Sequence, residues 1–577
     1  MRFGLHRFIA PARAFSSFSA VGPMATINWA EQAKKLQDKP APPGHKIIRE
    51  GNGVMIFPEQ NKVFYNNVQV LNRDLSINMI SEFARSRARE QMLKQQKRDH
   101  AAAGGAPEAF VPTEISDAAV EQHLVDTAES SGIRIFEALS ASGLRSIRYF
   151  QQIPGVKSIV VNDMDAAAVE SIQRNVEFNE LPLDRVIPRK SDAMDVMYNS
   201  RKDKDQFDVI DLDPYGSASI FLDGAVQSVT NGGLLCVTCT DMAVLSGKNP
   251  EVCFSRYGSV PNKANYLHEM ALRMVLQSIE SAANRYQRHI VPVASCSIDF
   301  YVRVFVRVYK SPVNVKQAMT KLSYVFQCVN CDSFHLQKLG VPHGNTFHAS
   351  RAPIVGQECD QCKGKFKMAG PFWSAPIHDR DVVVRVRDRV ATTTTDEFPT
   401  KDRLHGLLTT ISEELVDAPL HYTLPGLCKT LHCSSMRMDQ IQGAIRHAGY
   451  DASQFHKVPD AIKTTAPNHV VWDIMRCWVQ KHPLNKKREG QETPGSRILE
   501  KEPQLEAVFN SKRPAAHEKP KALRFPGNPE PNWGPKARAV GYKVVTQDES
   551  ATAAAVEADG LEPTDAEEPD AKKAKTE

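Results

Sequence analysis

The chain has 577 residues, 42% hydrophobic and 24% charged, with a formal net charge of +5. That length exceeds a single core and implies two or three domains, while no run approaches the roughly 20 apolar residues that cross a bilayer as a helix, which argues against an integral membrane protein. Ala551 to Glu577 carries eight acids against three lysines, so removing this net −5 leaves +10 on the 550 residues before it, a balance suited to a polyanionic partner.

The first thirty residues, opening "MRFGLHRFIAPARAFSSFSAVGP", hold Arg2, Arg7 and Arg13, several serines and no acid before Glu31, a composition expected of a mitochondrial transit peptide. Met24 offers an alternative start, and the closing "AKKAKTE" reads as a weak nuclear signal, so both mitochondrion and nucleus are expected.

From about Ala41 to Lys310, short β-like runs alternate with helical patterns. Strands are predicted at Ile133 to Leu139, Ser158 to Asp163, Arg185 to Ala193, Phe207 to Pro214 and Gly232 to Thr240, with a helix over Ala166 to Phe178. The order implies βαβ units and a parallel sheet covered on both faces, an α/β catalytic domain. Tyr301 to Tyr309, "YVRVFVRVY", alternates strictly and predicts an antiparallel strand beside the parallel set. Between Asp99 and Asp117 the composition turns to Ala, Gly and Pro, which predicts a flexible insertion. A second domain is expected over 311–482, with a helix at Asp439 to Ala448. After it, Lys481 to Lys543 holds fourteen basic and seven acidic residues, many prolines and the isolated rings Phe525 and Trp533, the pattern of an extended basic arm ahead of an acidic tail.

Ligands of open α/β sheets sit beyond the carboxyl ends of the strands, so the residues at strand exits carry the chemistry. In "IFEALSASGLRSIRYF", Glu137 leaves the first strand, Ser140 to Ser142 make a turn of small residues, and Gly143 permits close backbone approach before a helix. Asp163 stands at the next exit, where a carboxylate can bind both ribose hydroxyls, and Asp192 with Ala193 stands at the third, placed for an adenine edge. The dinucleotide G-x-G-x-x-G is missing. S-adenosylmethionine fits this set, having an adenosine and no pyrophosphate to cradle.

The fourth exit, "DVIDLDPYGSAS", presents Asp213, Pro214 and Tyr215. A nucleobase amine is a poor nucleophile because its lone pair is delocalised into the ring. Two acceptors aimed at its N–H bonds, the Asp213 carboxylate and the Pro214 carbonyl, favour the pyramidal form that attacks. Proline restricts φ and steadies that carbonyl, Tyr215 offers a stacking face, and Asp213 can take the released proton. Amine methylation is the expected chemistry.

"CVNC" (Cys328, Cys331) and "CDQC" (Cys359, Cys362) are separated by 27 residues, and paired knuckles let four thiolates reach one tetrahedral zinc with no position open for a catalytic water. The zinc is expected to be structural, while Cys428 and Cys433 read as buried thiols. Arg85, Arg87, Arg89, Lys94, Lys97 and Arg98 on the run Met79 to Arg98, together with the basic arm, are the expected phosphate anchors for a polyanionic partner.

These motifs, with "EGNGVMIFP", "VFYNNVQVLNRDLS" and "RFPGNPEPNWGPKARA", resemble the tRNA (guanine(26)-N(2))-dimethyltransferase family from about Ile48 to Gln480. The resemblance implies a class I (Rossmann-like) S-adenosylmethionine-dependent methyltransferase domain, a zinc-bearing α+β C-terminal domain, and transfer of two methyl groups to the 2-amino group of one tRNA guanine. It implies further that Arg73, Arg145, Asp163, Asp192 and Ala193 contact S-adenosylmethionine, that Asp213 is the catalytic acceptor, and that Phe64 and Tyr215 sandwich the guanine. Asn67 and Tyr215 stand where the family often has proline and phenylalanine. Two competing readings are methylation of another amine and an RNA-binding protein with an inactive domain. Asp213, in place of the asparagine of N-P-P-Y enzymes, disfavours adenine; intact Asp213, Asp163 and Arg145 disfavour inactivity.

Overall fold

The structure is a computed structural model and describes residues 29–59, 65–484, 492–509, 522–530 and 533–534. The proposed transit segment up to residue 28, Phe64, about half of the basic arm and the acidic tail lie outside these residues.

A hairpin of β1 (His45–Glu50) and β2 (Gly53–Pro58) leads into the long helix α1 (Val70–Ala102). The first half of α1 is buried, with Leu71, Leu75, Met79 and Phe83 at helical spacing, whereas the half beyond Ala88 is charged and solvated. Helix α2 (Asp117–Ser131) then enters the repeating part: β3 (Ile133–Glu137), α3 (Leu144–Gln152), β4 (Val156–Asp163), α4 (Ala166–Phe178), β5 (Val186–Lys190), α5 (Ala193–Asn199), β6 (Phe207–Leu212), α6 (Leu222–Ser228) and β7 (Val229–Cys239). Helices α7 (Pro250–Tyr257) and α8 (Leu267–Asn284) precede the closing hairpin of β8 (Arg288–Ile298) and β9 (Tyr301–Lys310).

The seven strands form one sheet in the order β5-β4-β3-β6-β7-β9-β8, parallel through β7, with β9 antiparallel to both of its neighbours. The chain order therefore reverses between β3 and β6, a switch point that opens a ligand crevice at the carboxyl edge. On β9, Val302, Val304, Val306 and Val308 join the core under α5, α6 and α8, while Tyr301 and Phe305 join the core under α1, α2 and α3. Strict alternation thus reports a strand buried on both faces, as expected of a sheet covered twice.

The predicted strand exits hold with small changes. Ala193 belongs to the start of α5, because Asp192 caps that helix and ends the strand run early. Strand β8 was not foreseen: Pro292 interrupts its pattern, and the register with β9 shifts between Pro292 and Ala294, an arrangement proline tolerates on an edge strand. Within the stretch expected as a flexible insertion, α1 continues to Ala102 and Pro107–Ala109 makes a 3-10 turn. A side-chain clasp, Thr113 N–H to Gln96 Oε1 at 3.1 Å, ties this return to α1.

Beyond 310, β10 (Leu322–Cys328), β11 (Phe334–Lys338) and β12 (Phe366–Trp373) form a three-stranded sheet ordered β11-β10-β12. Helices α9 (Arg380–Thr392), α10 (Lys401–Ser412), α11 (Met438–His447) and α12 (Asn468–Lys481) follow. Position 310 does not interrupt the packing. Phe372, Trp373, Leu420 and Phe455 share the core of α8, and Val383, Val386, Leu404 and Leu408 share that of α1.

Candidate active site

Asp211 and Asp213 are two residues apart at the end of β6 and so point to the same side of the sheet. Asp211 is fully buried, which requires compensation. Arg303 of β9 supplies it with a bidentate pair at 2.8 and 2.9 Å, and Tyr149 O–H donates to Asp211 Oδ2 at 2.5 Å. Arg303 is itself fixed by the Thr238 and Ser76 hydroxyls, each at 2.8 Å. Burial opposes the charge on Asp211, but Arg303 and Arg145 outweigh it and hold the carboxyl below its usual value.

Arg145, on α3, lies over this base. Its guanidinium pairs with Asp213 Oδ2, and it stands 3.6 Å from both Asp211 and Glu137. Asn72 Nδ2 approaches the same Asp213 Oδ2 at 3.4 Å. Oδ2 is thereby occupied, and Oδ1 carries no hydrogen bond among the described residues. Asp213 is half-buried, Pro214 buried, and Tyr215 stands outward at 56% exposure. The loop is braced by reciprocal bonds between Gly216 and Thr240: Gly216 N–H to Thr240 Oγ1 at 2.7 Å and Thr240 N–H to Gly216 O at 2.8 Å.

Glu137 is buried against Ser146 and Arg145, and burial pushes its carboxyl up to about 8 although Arg145 opposes this. In the following turn Ala141 and Gly143 have φ of 48° and 77°, and a Cβ on Gly143 would meet Ile172 at 3.2 Å. Asp163 braces this turn, its Oδ2 accepting from Ala141 N–H at 2.9 Å and its Oδ1 from Asp165 N–H at 3.0 Å. Each oxygen retains a lone pair for a ribose hydroxyl. Asp192 is exposed and Ala193 buried beside it at the next exit. The small-residue turn and these carboxylates fit an adenosine.

Arg73 is placed differently from the other cofactor candidates. It is buried and clamped to Glu50 at 2.7 and 2.5 Å. Burial alone would raise Glu50, yet Arg73 and Arg148 hold it at about 2. Its neighbour Asn72 is the α1 residue that reaches Asp213 and Arg145. Asp211, Arg303, Tyr149 and Asn72 escaped sequence reading. For the first two a signal existed, since a charge inside an apolar strand run needs a buried partner.

A profile described as N2,N2-dimethylguanosine tRNA methyltransferase matches residues 44–476. The chain belongs to that family. A relative from Mus musculus, named tRNA (guanine(26)-N(2))-dimethyltransferase, is 43% identical over 547 residues, covering 91% of this chain and 80% of its own. One from Arabidopsis thaliana, tRNA (guanine(26)-N(2))-dimethyltransferase 2, is 45% identical, covering 86% and 89%. One from Saccharomyces cerevisiae, whose name adds "mitochondrial", is 34% identical, covering 85% and 92%. Among solved structures, Trm1 from Pyrococcus horikoshii in complex with S-adenosyl-L-methionine superposes with a TM-score of 0.57 at 24% identity, over 74% of this chain and 98% of that one. That likeness shows the fold, a class I methyltransferase sheet.

In this member of the family the four knuckle cysteines converge: Cys328, Cys331, Cys359 and Cys362 are buried with their sulfurs within 4.8 Å of one another. Cys328 Sγ to Cys362 Sγ is 3.3 Å and Cys331 Sγ to Cys359 Sγ is 3.7 Å, near the roughly 3.8 Å that tetrahedral bonds of about 2.3 Å require. Asp332 and Lys363, each after the second cysteine of a knuckle, have φ of 60° and 61° and curl the two turns alike. A Cβ on Gly364 would stand 2.7 Å from Cys328 Sγ, so glycine is needed for the approach. The residues fit zinc. Cys428 is buried, while Cys433, half-buried, donates its N–H to the Cys428 carbonyl at 3.1 Å.

His378, Glu414 and His456 also converge, as a clamp in which His456 is hydrogen-bonded to Glu414 and His378 Nε2 stands 3.6 Å from its other oxygen. Ser295 N–H donates to His378 Nδ1 at 3.2 Å and Ser297 N–H to His456 Nε2 at 2.8 Å. The remaining protons must then sit on the nitrogens facing Glu414, which accepts from His456 Nδ1 at 2.6 Å. A metal there would require both rings as imidazolates, and the donor set does not fit one.

The expected RNA face on α1 is partly spent inside the fold. Arg85 pairs with Glu121 at 2.5 Å, Arg87 with Asp208 at 3.5 Å, and Arg89 with Asp117. Lys94, Lys97 and Arg98 remain exposed. Of the arm, Arg524 holds Glu413 at 2.7 and 2.9 Å, and Trp533 Nε1–H donates to Asp299 Oδ2 at 2.9 Å, beside Arg403. The ring of Trp533 is thus engaged by the protein at the β8–β9 turn. No helix among the described residues is long and apolar enough to cross a membrane.

Proposed function

We propose that this chain methylates the 2-amino group of the guanine at tRNA position 26, once and then again, with Asp213 Oδ1 and the Pro214 carbonyl as the two acceptors that pyramidalise the amine. The carrying observation is the division of labour on Asp213: Arg145 and Asn72 hold Oδ2, which leaves Oδ1 directed to a substrate N–H. Arg303 and Tyr149 fix Asp211 beneath, so Arg145 keeps its place while the loop holds its shape.

S-adenosylmethionine supplies an electrophilic methyl group when bound. Asp163 binds the ribose hydroxyls, Asp192 and Ala193 the adenine edge, and the Glu137 to Gly143 turn leaves room for the remainder of the molecule. Arg145 contacts it from α3, and Arg73 supports the site through Glu50 and the start of α1. Asp213 would take the amine proton as the new N–C bond replaces the donor's S–C bond, and return it to solvent; S-adenosylhomocysteine leaves, and a fresh donor must bind before the second transfer. For the second transfer the remaining N–H again meets an acceptor, while the new methyl must fit beside Tyr215. Phe64 is the proposed partner ring on the other face of the guanine. Four cysteines hold zinc in a structural role, tRNA is the partner, and the relative named mitochondrial supports an organellar site, while a nuclear one rests on the closing basic run alone.

The test is transfer from labelled S-adenosylmethionine to transcribed tRNA with the product nucleoside identified by mass. Dimethylguanosine is expected, and Asp213→Ala should lower the rate about 10²- to 10⁴-fold with cofactor affinity retained. Methyladenosine as product, or full turnover by the variant, refutes the assignment.

A further inference from the structure

The reaction proposed above constrains how the guanine is presented. The methyl carbon must approach the amine nitrogen along its pyramidalised lone pair, roughly perpendicular to the ring. In a stacked helix the neighbouring bases block that direction, so the target leaves the stack and a gap remains. Proteins that open base steps fill such gaps with apolar side chains.

Beside the catalytic loop the surface carries two side chains of this kind that the fold does not use. Ile220 is 67% exposed and Phe254 is 59% exposed. Ile220 lies in the 3-10 turn Ser219–Phe221, immediately after the Asp213 to Ala218 loop, and that turn packs against α7, which carries Phe254. The platform is rigid. Ser217 O–H bonds to Tyr257 Oη at 2.7 Å, and Tyr257 O–H to Asp241 Oδ1 at 2.7 Å, with Tyr257 buried one turn beyond Phe254.

The electrostatics favour a polyanion. Lys248 and Lys263 are exposed, and their loops touch, since a Cβ on Gly247 would stand 3.3 Å from the Lys263 nitrogen. Asp241 is compensated by Arg256 at 2.9 Å, which leaves Glu251 as the exposed acid of α7.

We propose that Ile220 and Phe254 form a wedge that enters the base stack vacated by the target guanine, with Lys248 and Lys263 on the adjoining phosphates. This rests on the guanine assignment above and extends it to how the base is extracted. An inserted ring or branched chain replaces lost stacking, and the lysines add a salt-dependent grip.

The experiment compares wild-type protein with the Ile220→Ala/Phe254→Ala double variant on two transcripts. One is the intact tRNA; in the other the nucleotide opposite the target is deleted, so that the guanine is already extruded. The variant is expected to lose about 10- to 100-fold in single-turnover rate on the intact tRNA and to return within about threefold of wild type on the bulged one. A 2-aminopurine beside the target should brighten when wild type binds and brighten less with the variant. Equal losses on both transcripts, or no loss on the intact one, overturn the wedge. A wild-type protein that methylates guanine in neither transcript overturns the guanine assignment itself.

Discussion

Replacing Arg303 by methionine removes the charge on which the base of the site is built. Asp211 would keep the Tyr149 hydroxyl and Arg145 at 3.6 Å, but lose both bonds of its bidentate partner. The Thr238 and Ser76 hydroxyls would lose their common partner as well. Breaking a buried pair on one side costs about 3–5 kcal/mol, because the surviving charge stays desolvated, and the lost hydroxyl contacts fall within that range. Arg145 would be drawn toward the uncompensated Asp211 and away from Asp213, so activity should fall further than the folded fraction. Urea denaturation followed by tryptophan fluorescence measures the stability, and single-turnover transfer measures the activity. Adding Asp211→Leu to Arg303→Met removes the stranded charge and should recover most of the stability without restoring the rate. A stability loss below about 1 kcal/mol for the single variant, or a double variant no more stable than it, would refute the view that this pair is a compensated buried charge.

Two further outcomes follow from the zinc knuckles and the histidine clamp. Purified protein should contain one zinc per chain by elemental analysis, and Cys359→Ser should lose it and unfold the knuckles while leaving the fold of the seven-stranded sheet in place; undiminished zinc would refute the four-thiolate site. Burial lowers the His378 pKa from 6.5, so the native state binds fewer protons than the unfolded chain, whose histidines titrate near 6.5. Its contribution to stability is complete above the unfolded pKa and is lost as pH falls through the folded one. Thermal unfolding between about pH 7 and 5 should show this slope, and His378→Gln should lessen it by one group's share, since His268 and His421 are depressed as well.

The exits of β3, β4, β5 and β6 were legible because a strand run ending in a carboxylate is a local pattern, and the helix Ala166–Phe178 because its period is regular. The four-cysteine centre was legible from spacing alone. The contacts of Asn72 and Arg303 were not: the two residues lie 141 and 92 positions from the aspartates they meet, and only the folded sheet brings them together. The basic run of α1 misled in the opposite way. A count of arginines cannot reveal that Glu121, Asp208 and Asp117 wait for them across the fold. Strand β8 was hidden by its own proline.

The tie from Trp533 to Asp299 bears on where the polypeptide can be cut. The β8–β9 turn sits at the carboxyl edge, and Arg403 and Trp533 grip the same Asp299 carboxylate from two directions. Arg524 and Trp533 therefore act as a buckle that fastens the late chain to the catalytic sheet and to Glu413. A truncation placed before 522 removes both fastenings and frees this rim of the sheet.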